Sequence, residues 1–86
     1  MDFARYRRSK RWTYADVASF LGLAQPSSVR KHELGINIPS AEVLDRYRTL
    51  TAGQVTEEDF MVVRRRYLAR QKIDEKSAEK SKDVVE

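Results

Sequence analysis

Cysteine is absent from this chain of 86 residues, which also contains only two prolines and three glycines. Without cysteine there is no disulfide framework, no thiol nucleophile and no thiolate ligand for a metal. No apolar run approaches the roughly 18 to 20 residues of a membrane-spanning helix, and the first residues lack the apolar stretch of a secretion signal. We therefore expect a cytoplasmic protein with no membrane partner.

Strand signals are also missing, because nowhere do four or more residues alternate between apolar and polar within turn boundaries. The length suits a single domain with one modest core. Helical periodicity recurs up to about residue 70. The chain then changes to "QKIDEKSAEKSKDVVE", which has too few apolar residues to offset the cost of ordering a backbone. The sequence predicts an all-α domain over residues 1–70 and a short, charged, disordered tail over residues 71–86.

Five amphipathic helices account for the periodic part of the chain. Thr13 followed by Asp16 predicts a capped helix start, and Gly22 and Gly35 predict helix ends. The helices are expected over roughly residues 2–11, from Thr13 to Gly22, over 26–34, after Ser40 and from Thr56. The residues expected to face the core are Phe3, Tyr6, Val17, Ala18, Leu21, Val29, Val43, Tyr47, Leu50, Phe60, Val63 and Tyr67.

Positive charge is concentrated in the N-terminal part of the chain. The net charge is +4, and residues 1–35 alone carry +4, against +1 for residues 36–70 and −1 for residues 71–86. A basic face of this kind attracts polyanions. In the same part, only "GLAQ" separates the second and third helices, and so short a connection favours a helix-turn-helix with a steep crossing.

The stretch "RYRRSKRWTYADVASFLGLAQPSSVRKHELGINIPSAEVL" resembles the Cro and lambda-repressor-like helix-turn-helix family, the XRE family. The resemblance covers about residues 5–50. It implies a five-helix DNA-binding fold in which the third helix enters the major groove and a homodimer contacts two half-sites of a near-palindromic operator. The motif residues that carry it are Arg7, Thr13, Ala18, Gly22, Val29, Glu33, Gly35 and Pro39.

Given this resemblance, the outer face of the third helix is the candidate for base contacts. Its residues lie opposite Val29, near the helix start, and they are Ser27, Ser28, Arg30 and Lys31. Arginine and lysine suit guanine O6 and N7, whereas serine discriminates little. A merely solvated face is the alternative. Candidates for phosphate contact are Arg11, Thr13, Tyr14, Gln25 and Asn37, and Arg11 could equally lie in water.

His32 and Glu33 stand side by side, which raises the question of a reactive pair. Neighbouring side chains on a helix point about 100° apart, so these two cannot converge on a metal or a substrate. The resemblance implies instead that Glu33 forms a buried ion pair with Arg7. We expect His32 to be packed and hydrogen-bonded, and we expect residues 64–66, "RRR", to be mainly solvated.

The leading hypothesis is a sequence-specific transcription regulator that binds double-stranded DNA, with no enzymatic step, no metal and no cofactor. Met61 and Leu68 form a second apolar stripe on the fifth helix, which predicts a homodimer contact. The same stripe supports the alternative of an adaptor or antitoxin-like protein that mainly binds another protein. An enzyme is a poor third choice, because the single histidine lacks a convergent partner and no phosphate-binding loop is present.

Overall fold

The computed structural model describes the backbone of residues 1–85 and the side chains of residues 1–72. Residues 1–85 form helices without a strand, so the all-α prediction is confirmed. Within this part, the helices are α1 (Phe3–Lys10), α2 (Tyr14–Leu21), α3 (Pro26–Leu34), α4 (Ala41–Leu50) and α5 (Glu57–Val85). Over the same residues, no helix is both long enough and apolar enough to cross a membrane.

Side chains just before the helices determine where several of them begin. At α2, the Thr13 hydroxyl accepts a hydrogen bond from the Asp16 amide at 3.0 Å, and the Asp16 carboxylate accepts one from the Thr13 amide at 2.9 Å. This reciprocal capping box satisfies two backbone donors that the helix leaves unpaired. Single side chains cap the first turns of α1 and α4, namely Asp2 and Ser40.

The ends of α2 and α3 adopt left-handed backbone conformations that suit glycine. Gly22 has φ +70° and Gly35 has φ +83°. Both values lie in the region that costs other residues energy through their Cβ atom. The expected ends of these two helices are therefore correct, and so is the four-residue connection between them.

An aromatic cluster lies where α1, α4 and α5 meet. The ring of Tyr47 is 4.9 Å from that of Phe3 and 4.7 Å from that of Phe60, measured between ring centroids. Offset and edge-on pairs at such distances add to the stabilisation from burial alone. The remaining buried hydrophobic residues complete one core, and they are Val17, Ala18, Leu21, Val29 and Val55.

Two residues of the connection between α4 and α5 are buried, which the sequence did not predict. Thr51 and Val55 are 0% and 1% exposed. The Thr51 hydroxyl donates to the Tyr47 carbonyl at 2.9 Å and accepts from the Val55 amide at 3.2 Å. Because the threonine satisfies the backbone of its own turn, a polar residue can be buried here without loss of hydrogen bonds.

Helix α5 continues through the segment for which the composition predicts disorder. Lysine and glutamate make up seven of the sixteen residues of that segment, and both favour helical backbone even where little apolar surface is available for packing. The division into a domain of residues 1–70 and a tail of residues 71–86 stays a prediction. Glu86 lies outside the described residues.

Candidate nucleic-acid interface

Helices α2 and α3 pack against each other through their apolar faces. Val17, Leu21 and Val29 are each at most 1% exposed to solvent. The turn between the helices is held by a backbone hydrogen bond of 2.8 Å from the Leu23 amide to the Ala18 carbonyl. Since the inner faces are used for packing, the opposite faces of both helices lie at the surface.

Arg7 joins three helical elements through one guanidinium group. Its Nε and Nη2 donate to the two carboxylate oxygens of Glu33 at 3.2 and 3.1 Å, and its Nη1 donates to the Trp12 carbonyl at 2.8 Å. The side chains of Arg7 and Glu33 are 14% and 3% exposed. The hydrogen bond to Glu33 raises the pKa of Arg7. This bidentate pair therefore fixes α1 to α3 and to the start of α2.

Tyr14, the first residue of α2, lies beside this ion pair. The Arg7 guanidinium carbon is 4.4 Å from the centroid of the Tyr14 ring. Burial raises the pKa of Tyr14, a hydrogen bond with Glu33 adds to the rise, and the positive charges of Arg7 and Arg30 oppose it. Tyr14 therefore packs against the ion pair that joins α1 to α3.

The outer face of α3 carries the four residues proposed for base contact. Val29 is completely buried, while Ser27, Arg30 and Lys31 are exposed and Ser28 is partly exposed. The helical phase assumed in the sequence analysis is therefore the one that the structure has.

The charges on this face are not neutralised by neighbouring side chains. Among the described residues, Arg30 and Lys31 form no ion pair with a carboxylate, whereas three of the arginines on α4 and α5 do. The acidic residues of the first 35 positions all have structural roles, because two act as helix caps and one binds Arg7; they are Asp2, Asp16 and Glu33. The positive field therefore stays with the N-terminal half of the domain.

The remaining candidates for phosphate contact lie at helix ends. Thr13 and Gln25 occupy the N-cap positions of α2 and α3, where unpaired backbone N–H groups favour anions. The Thr13 hydroxyl accepts its capping bond, so its proton is free to be donated elsewhere. Arg11 and Asn37 are exposed residues that follow the C-terminal ends of α1 and α3.

The neighbours His32 and Glu33 point to different partners. The Nδ1 atom of His32 lies 3.0 Å from the Tyr47 hydroxyl oxygen, whereas Glu33 binds Arg7. Burial lowers the pKa of His32, so the neutral ring is favoured at pH 7. This histidine packs against the core, and it does not form a reactive pair with Glu33.

Two arginines missed by the sequence analysis hold the C-terminal ends of α2 and α3. Arg46 donates to the Leu21 carbonyl at 2.6 Å. Arg64, which we expected to be solvated, donates through Nη1 to the carbonyls of Gly35 and Ile36 at 3.0 and 2.5 Å. A cation is favourable at these positions, because the carbonyl end of a helix carries partial negative charge.

Met61 and Leu68, the candidates for the dimer contact, differ in exposure. Leu68 is 44% exposed, whereas Met61 is partly buried against the domain. The two residues are seven positions apart on α5, which places them about two turns apart on one side of the helix. An apolar side chain at the surface is therefore available at one of the two positions.

Within the described residues, no three histidine, aspartate or glutamate side chains are grouped as metal ligands would be. Comparisons with models of known protein families, with curated proteins and with solved structures found no match for this chain. The family resemblance therefore stays a prediction.

Proposed function

We propose that this chain is a sequence-specific DNA-binding transcription regulator of the helix-turn-helix type, similar to the XRE family. The observation that carries the proposal is the outer face of α3, where Arg30 and Lys31 are exposed beside a helix end fixed by the Arg7–Glu33 pair. Helix α3 enters the major groove, and α2 lies across the DNA backbone. The protein acts without a chemical step or a cofactor, in the cytoplasm and on the nucleoid.

The distribution of charge supports a nucleic acid as the partner. Among the described residues, the cations of α1 and α3 other than Arg7 form no ion pair, whereas both arginines of α4 and one arginine of α5, Arg65, do. Binding to phosphates releases counterions, so affinity falls steeply as the salt concentration rises. The N-terminal ends of α2 and α3 supply phosphate contacts through Thr13, Tyr14 and Gln25. Arg11 and Asn37, which follow the C-terminal ends of α1 and α3, supply further phosphate contacts.

Replacing Lys31 or Arg30 with alanine is expected to weaken binding to the preferred duplex by about 1 to 3 kcal/mol and to relax the preference at one base pair. Each side chain can donate to guanine O6 and N7 in the major groove, whereas Ser27 and Ser28 add contact with little discrimination. The measurement is a set of dissociation constants, at one salt concentration, for duplexes in which each base pair is changed in turn.

Arg48→Ala provides the matched control for this experiment, because it removes an exposed arginine of α4 that pairs with Asp45. Its binding profile should stay close to that of the wild type. If Lys31→Ala and Arg30→Ala weaken all duplexes equally, both residues contact phosphate and the assignment of base contacts is wrong.

The protein is proposed to work as a homodimer with α5 at the symmetry axis. Met61 and Leu68 would contact their copies, setting the two α3 helices about 34 Å apart on half-sites one helical turn apart. Two linked half-site contacts compensate for the weak discrimination of the serines, because the second contact forms at high effective concentration. The apolar area is small, so the dimer is weak until DNA brings the two copies together.

Changing Leu68 to glutamate is expected to abolish cooperative occupation of two half-sites while leaving the helical fold intact. Leu68 is 44% exposed, so the new charge disturbs the contact between copies more than the core of the monomer. Met61→Glu with Leu68→Glu is the stronger form of the same test. Cooperativity is measured by titrating a duplex with two half-sites against a duplex with one.

Phe20→Glu is the matched control, because Phe20 is an exposed apolar residue of α2, at 58%. The control should bind both half-sites as cooperatively as the wild type. Retained cooperativity in Leu68→Glu would remove α5 from the dimer contact.

A second candidate function, binding of another protein, is favoured by a cleft beside Phe20. The cleft has a volume of about 170 Å³, and its walls are mainly apolar, formed by Trp12, Asp16, Val17, Phe20 and Leu50. Exposed apolar surface of this kind is typical of partner contacts. The absence of any sequence preference in DNA binding would favour this function over the first.

A further inference from the structure

Helix α5 contacts the C-terminal end of α3 without a side chain between their backbones. A Cβ atom on Gly35 would lie 2.6 Å from the Val63 carbonyl oxygen and 3.0 Å from the Arg64 backbone nitrogen. The absence of a side chain at Gly35 therefore allows the two backbones to approach each other. The backbones of α5 and of the end of α3 are therefore in direct contact at this point.

Arg64 adds two hydrogen bonds across the same contact. Its Nη1 donates to the Gly35 and Ile36 carbonyls, and its guanidinium carbon lies 5.8 Å from the centroid of the Tyr67 ring. The ring, one turn further along α5, limits the positions that the guanidinium can adopt. Because the two carbonyls and the ring restrict this partly buried arginine, it fixes the position of α5 relative to α3 more closely than a solvated arginine would.

The two residues held by Arg64 are connected through the backbone to Lys31. The Gly35 amide and the Ile36 amide both donate to the Lys31 carbonyl, the latter at 2.9 Å. Hydrogen bonds at a helix end of this type fix the last turn relative to the residues that follow it. The position of the Lys31 backbone therefore depends on the peptide groups that Arg64 holds.

We propose that Arg64 is a positioning residue for specificity, which sets the direction in which Lys31 meets a base pair. The proposal is based on the DNA-binding function proposed above. Arg30 accepts none of the hydrogen bonds from the amides of residues 35–37, which go to Lys31 and His32. Arg64 thus governs the base pair contacted by Lys31 and leaves the one contacted by Arg30 unchanged.

The test compares Arg64→Met with Arg65→Met, which removes the same charge from the next residue of α5. Arg65 is exposed and pairs with Glu58, so it is a matched control. Base-pair preference is measured for both variants on the preferred duplex and its single base-pair changes. We expect Arg64→Met to relax the preference about fivefold or more at the base pair that Lys31→Ala also relaxes, and Arg65→Met to leave every preference within twofold.

A second readout does not depend on DNA. Hydrogen exchange of the Ile36 amide should be at least tenfold faster in Arg64→Met than in wild type, because the peptide group that it belongs to is no longer held. The same amide should be unchanged in Arg65→Met. If wild-type protein shows no sequence preference, the proposed function fails, while the exchange result still tests the contact between α5 and α3.

Arg64→Lys replaces Arg64→Met in this test if Arg64→Met does not fold at the temperature of measurement. The shorter side chain keeps the charge but cannot reach both carbonyls from the same place, so a smaller loss at the same base pair is expected. An unchanged preference in the folded Arg64 variants, or a loss spread equally over all base pairs, would overturn the proposal.

Discussion

Replacing Glu33 with alanine is expected to lower the free energy of unfolding by about 3 to 5 kcal/mol. The change leaves the Arg7 guanidinium, whose side chain is only 14% exposed, without its charged partner, and an uncompensated buried charge has a cost of this size. The melting temperature should fall by more than about 12 °C for a domain this small. Thermal and urea unfolding followed by circular dichroism measure both quantities.

Glu42→Ala is the control for this prediction. Glu42 also pairs with an arginine, Arg46, but its side chain is 76% exposed, and exposed ion pairs contribute at most about 1 kcal/mol. The two variants remove the same functional group and differ in burial. An unchanged melting temperature in Glu33→Ala would refute the structural role of the pair. Loss of DNA binding with unchanged stability would assign Glu33 to the interface instead.

The second large effect is expected at Gly35, where alanine should destabilise the domain by about 2 to 5 kcal/mol. Its φ of +83° is unfavourable for a residue with a Cβ atom, and that atom would lie 2.6 Å from the Val63 carbonyl oxygen. The left-handed conformation alone costs about 1 to 2 kcal/mol. Moving α5 away from α3 adds a further cost, typically about 1 to 3 kcal/mol for overpacking.

Gly53→Ala separates the two costs, because Gly53 has a similar φ of +79° with no atom within 4 Å of a new Cβ. The free energy of unfolding of Gly53→Ala should be lower than that of the wild type by only about 1 kcal/mol, since reduced freedom of the unfolded chain offsets part of the conformational strain. The measurement is the difference between the two variants in urea unfolding. If the two variants lose the same free energy of unfolding, a Cβ atom at Gly35 does not clash with α5, and the two backbones are not in close contact.

The helix boundaries could be predicted because they depend on local chemistry. Thr13 with Asp16, and the glycines at positions 22 and 35, determine hydrogen bonds and backbone angles within a few residues of themselves. The buried faces also followed from helical periodicity, as Val17 and Val29 illustrate. Both kinds of signal act over one or two turns.

The contacts that position α2 and α3 could not be predicted from local patterns. Arg46 and Arg64 bind backbone carbonyls 25 and 28 to 29 residues away in the chain. The sequence "RRR" does not distinguish Arg64 from its exposed neighbours. Arg64 differs from them only because α5 crosses the end of α3 and brings its side chain to the carbonyls there. The Arg7–Glu33 pair spans 26 residues, and it was expected only because of the family resemblance.

The burial of Thr51, between α4 and α5, was missed for a different reason. Thr51 is polar, and its burial depends on hydrogen bonds to Tyr47 and Val55 within its own turn. Hydrophobic periodicity gives no signal for such a residue. The composition after residue 70 predicts little packing, but it does not exclude helical backbone such as α5 has there.

We expect the outer face of α3 to bind DNA with sequence preference. The most direct measurement exposes the wild-type protein to a pool of duplexes with about 20 randomised base pairs, at a fixed moderate salt concentration, and sequences the bound fraction. We expect enrichment of a near-palindrome whose half-sites are centred about one helical turn apart. A bound fraction as random in sequence as the starting pool would contradict the account.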